Sequence, residues 1–278
     1  MVERPIDRRR WLAKKSARMA VGALGVPRTI ARAKGVRVLT YHRFGSGTRM
    51  PFTVSARQFE REMAHLARTG RAATLADVEA HARGERSLPD GSVLVSIDDG
   101  DPSVHRLALP ILLRHAIPAV VYALAGEPDG FEMMTGAELR EVADAGIAIG
   151  SHSLSHRSLA KLSPAEARVE AMDSRRRLED TIGRPVSSFA YPYGTRADVG
   201  EGSATILAEA GYRSAFTSLH GAITAGAPMA NPLLLPRIKV ESGDPRWLFP
   251  RLCDGAMDGW RRIDDGLTGW QRPQTASD

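Results

Sequence analysis

The chain has 278 residues, 43% hydrophobic and 25% charged, the composition of an ordinary soluble globular protein. Its formal charge of +6 is concentrated at the front, where residues 1–35 hold ten Lys/Arg against Glu3 and Asp7 and the remainder nets −2; the folded part therefore offers no general nucleic-acid surface. A single cysteine, Cys253, excludes an internal disulfide or a zinc–thiolate cluster, and no apolar run reaches the length of a membrane span.

Residues 1–34 read as a basic N-terminal tail with a short apolar run from Met19 to Val26. That run holds two glycines and lacks an Ala-x-Ala site, so it half meets the pattern of a secretion signal. A cytoplasmic or membrane-peripheral location is favoured, with export left open, and a basic segment resting on anionic lipid is the alternative to a plain tail. VRVLTYH (Val36–His42) is the first strand. Ser55 with Gln58 three residues on reads as a capping box; Phe59, Met63 and Leu66 share one helical face, and Gly70 ends the helix. Thr74 with Asp77 opens a shorter helix closed by Gly84.

VLVSIDDG (Val93–Gly100) runs from an unbroken apolar segment into two adjacent carboxylates, the pattern of a buried parallel strand that ends in a reactive site. The competing reading is a surface turn, for which Asp-Asp-Gly is also suited. A helical stretch with Leu107, Leu109 and Ile111–Leu113 follows, then a strand over Ala119–Leu124 and a helix capped by Thr135 and Glu138. Ile147–Ser151 is again a strand. Ser163-Pro164-Ala165-Glu166 opens a long helix stopped by Gly183, and SSFAY, RSAFTS and LLLPRIKV supply three more strands. Seven strands alternating with helices predict an α/β fold closed as a barrel over residues 35–250, with a C-terminal helix and tail over 251–278.

Parallel barrels carry their reactive groups at the C-terminal strand ends. Here those ends hold Tyr41-His42, Asp98-Asp99, His152 with His156, and Tyr191-Pro192-Tyr193-Gly194, and Arg237 lies in the last strand. His152, His156 and Asp99 form a plausible two-His-one-carboxylate set for a divalent metal, Zn²⁺ first, with Co²⁺, Ni²⁺ and Fe²⁺ as alternatives. His65, His81, His105 and His115 fall in or beside helices, where surface placement is expected.

IDDG, SHSLSH and FAYPYG, in that order and spacing, resemble the polysaccharide deacetylases of the NodB-homology type, carbohydrate esterase family 4, and within them the exopolysaccharide deacetylases with a Tyr-His opening. The likeness spans about Val36 to Val240. It implies a distorted (β/α)7 barrel with a single catalytic domain, and metal-dependent removal of N-acetyl groups from an amino-sugar glycan. By that resemblance Asp99, His152 and His156 are the metal ligands, and Asp98 is the general base. Tyr193 lends its backbone N–H to the oxyanion, with Tyr191, Pro192 and Tyr193 meeting the substrate.

Two departures stand out. Ala190 occupies the place of a family arginine, and the late Leu-x-His of many members is missing. The Tyr-His subgroup points to His42 as general acid and Arg237 as the partner of Asp98; a structural strand-end hydrogen bond and a surface ion pair are the competing readings for these two. Three rival functions remain: another linear amide or peptidoglycan as substrate, a catalytically silent sugar-binding barrel, and non-haem iron chemistry. The expected partner is an N-acetylated glycan, with no nucleic acid; the oligomeric state is open.

Overall fold

The computed structural model describes residues 8–24, 34–45, 51–225, 231–260 and 263. Along them lie α1 (Arg8–Leu24), β1 (Arg37–Tyr41), β2 (Arg43–Phe44), β3 (Thr53–Val54), α2 (Ala56–Thr69), α3 (Leu75–Ala82), β4 (Val93–Asp99), α4 (Leu109–Arg114), β5 (Ala119–Ala123), α5 (Gly136–Asp144) and β6 (Ala148–Ser151). The second half contributes α6 (Pro164–Ile182), β7 (Ser188–Ala190), α7 (Arg196–Val199), α8 (Ser203–Glu209), β8 (Ser214–Phe216), β9 (Ile238–Lys239) and α9 (Leu248–Cys253). None of these helices is long and apolar enough to cross a membrane.

Seven strands pair in the order β8-β7-β6-β5-β4-β1-β9, and every pairing is parallel. The chain entering β9 joins the two ends of this sheet. Leu235 bridges Phe216 of β8, donating to Ala215 O and accepting from Thr217 N at 2.8 Å each, whereas Ile238 and Lys239 pair with Leu39 and Thr40 of β1. Residues 235–239 thus cross the seam, and the curled sheet is a distorted (β/α)7 barrel.

Alternation along the strands sorts the apolar side chains into two clusters. Val38, Leu94, Val120, Tyr122, Ala190 and Phe216 form one, joined by Val78 and Ala82 of α3. Leu39, Tyr41, Val95, Ile97 and Val121 belong to the other, with Phe59, Met63 and Leu66 of α2 and Leu178 of α6. The first cluster fills the barrel and α3 plugs its N-terminal end; the second lies beneath the outer helices.

Capping chemistry explains where these helices start. Thr135 and Ser163 make full capping boxes with Glu138 and Glu166. Ser55 accepts from Gln58 N at 3.1 Å, but the expected box does not close. The Gln58 side chain turns inward instead, donating to Glu62 Oε1 at 3.0 Å and to Glu241 O at 3.1 Å. The stretch before α4 begins as a wide π turn over Val104–Ala108.

The basic N-terminal segment contains a docked helix. In α1, Arg18 lies 3.2 Å from both Glu241 and Asp244 and donates to Lys239 O at 2.5 Å, and Lys15 donates to Ser242 O. Both cations are buried, so they are held by the acidic loop after β9. Arg251 of α9 donates to Gly22 O and Ala23 O at the far end of the helix. Residues 1–7 and 25–33, and most of those after 260, lie outside the described set.

Candidate active site

The inward positions of β4 are Leu94, Ser96 and Asp98, so the first carboxylate of the pair points into the barrel mouth. Arg237, one residue before β9, meets it there. Its Nη1 and Nη2 donate to Asp98 Oδ1 and Oδ2 at 2.7 and 2.8 Å, a two-pronged fork between side chains that are 1% and 3% exposed. Nε of Arg237 donates to Thr217 O at 3.0 Å, and its guanidinium stands 5.7 Å from the centre of the Tyr122 ring. Burial alone would raise the Asp98 pKa; Arg237 foremost, then His152 and His42, outweigh that and leave it below the ordinary carboxylate value. Arg237 is buried against Asp98, which excludes the competing reading of a surface ion pair.

Asp99 leaves the extended conformation, with φ at 74°, and its carboxylate turns toward β6. Oδ1 stands 3.5 Å from His152 Nε2 and 3.6 Å from His156 Nε2. This oxygen is buried and lacks a hydrogen-bond partner, an expensive state for a carboxylate unless a cation satisfies it. One donor atom from each of the three residues lies within 4.8 Å of the others. Tetrahedral ligands about 2.0–2.1 Å from a zinc ion stand roughly 3.4 Å apart, close to the two spacings seen here. The donor set therefore fits a divalent metal.

The tautomers fit as well. His152 Nδ1 lies 2.8 Å from Ala190 O; a carbonyl can only accept, so Nδ1 carries the proton and Nε2 presents its lone pair toward Asp99. Burial opposes a charged His152, yet Asp98 and Asp99 more than offset it and raise its pKa: the field at this spot favours positive charge. Burial, and next the neighbouring His152, push His156 down to about 4, so it is neutral near pH 7 as a metal ligand must be. Burial works against ionised Asp99 too, but His152, His42 and His156 hold it well below the usual carboxylate range.

His156 is flanked by two rings, Tyr193 at 4.7 Å and Phe131 at 5.0 Å between centroids. Tyr193 is 55% exposed and sits at φ 59°, on the rim of the metal cluster. His42 continues the inward face of β1 beyond Val38 and Thr40, its ring 4.9 Å from Phe52 and its buried Nδ1 without a hydrogen-bond partner. Burial lowers its pKa despite the opposing charges of Asp99 and Asp98.

Two expectations change. Tyr191 does not face substrate: it is 1% exposed, its hydroxyl donates to Leu233 O at 3.0 Å, and its ring packs on Phe189. Pro192 is buried as well, which leaves Tyr193 as the member of that trio at the surface. His81, expected at the surface, is 3% exposed and accepts from Leu88 N; His105 and His115 pair with Glu141 and Glu60. The Ala190 carbonyl and the Phe131 ring escaped the sequence reading, because neither a backbone oxygen nor a loop aromatic has a signature of its own. Ala190 was marked only by the arginine it lacks.

A parallel barrel whose strand ends gather an Asp-His-His cluster that could hold a metal, beside a buried Asp–Arg pair, has the makings of a hydrolase site. Residues 85–215 match the family described as polysaccharide deacetylase. The poly-beta-1,6-N-acetyl-D-glucosamine N-deacetylase of Staphylococcus aureus (strain COL) is 26% identical over 229 residues, covering 77% of this chain and 74% of that protein. Among solved structures, IcaB from Ammonifex degensii superposes with a TM-score of 0.65 at 29% identity, covering 81% of this chain and 98% of that one. The polysaccharide deacetylase BC0361 from Bacillus cereus gives 0.66 at 25% identity, over 79% and 69% of the two chains.

Proposed function

We propose that this protein is a metal-dependent hydrolase that removes N-acetyl groups from an amino-sugar polysaccharide, with β-1,6-linked N-acetylglucosamine polymers as the first candidates. The observation that carries this reading is the convergence of Asp99, His152 and His156 beside the Asp98–Arg237 pair. The named activity of the staphylococcal relative supports the substrate class.

A divalent ion held by Asp99, His152 and His156, with Zn²⁺ the first choice for this donor set, would supply a Lewis acid and an acidified water. Asp98 takes the proton from the attacking water. Its lowered pKa keeps it ionised and ready to accept throughout the neutral range, and Arg237 occupies one side of the carboxylate so that its remaining lone pairs face the mouth. The backbone N–H of Tyr193 is the donor for the tetrahedral oxyanion. His42 gives the departing amine its proton; since burial lowers its pKa, the charged form is scarce at rest near neutrality and is gained within the reaction.

Acetate release from poly-β-1,6-N-acetylglucosamine oligomers, with chitooligosaccharides in parallel, tests the proposal. Zn²⁺- or Co²⁺-loaded protein should release acetate, chelation should stop it, and Asp98→Asn should abolish turnover while retaining metal. No acetate from either substrate, or full turnover by Asp98→Asn, would reject the assignment.

A further inference from the structure

The two histidines sit at the ends of a five-residue turn, 152–156, whose backbone does not favour its own shape. Ser153 and His156 both occupy the left-handed region, at φ 74° and 59°, a conformation that is costly for a non-glycine residue and persists only where the surroundings impose it. Part of the restraint is local: Ser153 Oγ accepts from His156 N at 3.0 Å, and Ser151 Oγ accepts from Ser153 N at 3.2 Å.

The rest comes from α6. Glu170 is 5% exposed, and its carboxyl oxygens are taken up by this turn. Oε2 accepts from Leu154 N at 2.9 Å and from Ser155 N at 3.0 Å, and Oε1 accepts from Ser155 Oγ. Ser174 lies four residues on, on the same face of the helix, and bonds Ser151 Oγ at 2.8 Å. From the other side Ser153 O accepts from Ala125 N at 3.0 Å, and Gly126 passes so close that a Cβ there would stand 2.5 Å from Leu154 O. The turn is gripped from both sides, and Glu170 satisfies both backbone N–H groups that lie midway between the histidines.

We infer that Glu170 is a positioning residue that sets the separation of His152 and His156 and so the affinity of the metal centre. This rests on the metal-dependent reading above. A carboxyl group taking three donors fixes the turn more firmly than packing alone, and groups one step behind metal ligands commonly govern affinity by about 10–100-fold.

Metal-free wild type, Glu170→Ala, Glu170→Gln and Ser155→Ala are titrated with Co²⁺ by calorimetry and by visible absorption, with Tm recorded for each metal-free protein. Glu170→Ala should weaken Co²⁺ binding by about 10–100-fold and alter the ligand-field band. Glu170→Gln keeps the length and an acceptor oxygen for the two N–H groups, and should recover most of the affinity; Ser155→Ala, losing one bond of three, should fall between. Should Glu170→Ala not fold, the order of the other two against wild type decides. Affinity within twofold of wild type for Glu170→Ala overturns the inference; where that variant does not fold, affinity within twofold of wild type for Ser155→Ala, or a Glu170→Gln that binds no better than Ser155→Ala, overturns it. A wild type that takes up no Co²⁺ instead overturns the metal reading on which it stands, and the two failures are thereby told apart.

Discussion

Arg237→Met is the substitution that tests the interior of the site most directly. It keeps much of the stem's volume and removes a guanidinium that makes two short bonds to Asp98 and one to Thr217 O. Both charged side chains are almost fully buried, so water cannot replace the lost partner, and Asp98 is left as an uncompensated charge. Breaking one side of such a pair costs about 3–5 kcal/mol. At about 2–4 °C per kcal/mol for a chain of this size class, Tm should fall by roughly 6–20 °C. The metal-free protein is unfolded in urea so that metal binding does not mask the loss. Asp98→Asn combined with Arg237→Met should recover most of the stability, because no buried charge is left alone, yet none of the activity. A single Arg237→Met within about 1 kcal/mol of wild type, or one that retains full acetate release, would refute the account of a buried, functional pair.

Three further outcomes follow from particular contacts. Arg18→Ala strips the cation from between Glu241 and Asp244, both 3.2 Å away, and should cost about 3–5 kcal/mol in urea unfolding; a loss under 1 kcal/mol would mean that α1 is only loosely laid on the barrel. Glu62, accepting from Tyr41 and Gln58, is pushed up by burial to about 8, against 4.5 when free. The folded state then holds a proton that the unfolded chain has released, so this group's contribution is complete below about 4.5 and drains away as pH rises toward 8. Stability measured across that interval should flatten in Glu62→Gln; an unchanged slope would assign the dependence elsewhere. Gly150→Ala would place a Cβ 2.4 Å from the buried Tyr122 ring and 3.0 Å from Ser188 O, so a loss of about 1–3 kcal/mol or more is expected from overpacking. A neutral Gly150→Ala would show that the ring has room to move.

Much of the barrel was legible because its strands and helices announce themselves by local chemistry. The apolar run of β4 ends in two acids whatever the rest of the chain does, and Thr135–Glu138 and Ser163–Glu166 each close a cap from four residues. What stayed hidden depended on long-range placement. Gln58 has the spacing of a capping box, yet Glu62 and the chain after β9 compete for its amide and win. Tyr191 and Tyr193 differ by two positions and look equivalent in the sequence; a left-handed residue at Tyr193 sends one outward while its neighbour is sealed against Leu233. Of the five non-glycine residues with positive φ among those described, Asp99, Ser153, His156 and Tyr193 belong to the site. That concentration of strain has no sequence pattern and becomes visible only in the folded backbone. The docking of α1 was hidden for a similar reason: a run of basic residues reads as a solvated arm until the acidic loop that receives Lys15 and Arg18 is seen.

The strand that seals the barrel also delivers the guanidinium to Asp98, and this has a consequence for the nascent chain. Residues 85–215 can pair most of their strands as they are made, and the Asp-His-His cluster at 99, 152 and 156 emerges early. The counter-charge for Asp98 arrives only at position 237, together with the pairing to β1 that shuts the seam. A ribosome-bound intermediate ending before that point would hold a buried acid without its partner and an open edge at β1. Competence for catalysis and protection from edge-to-edge association are therefore acquired in one late step of synthesis.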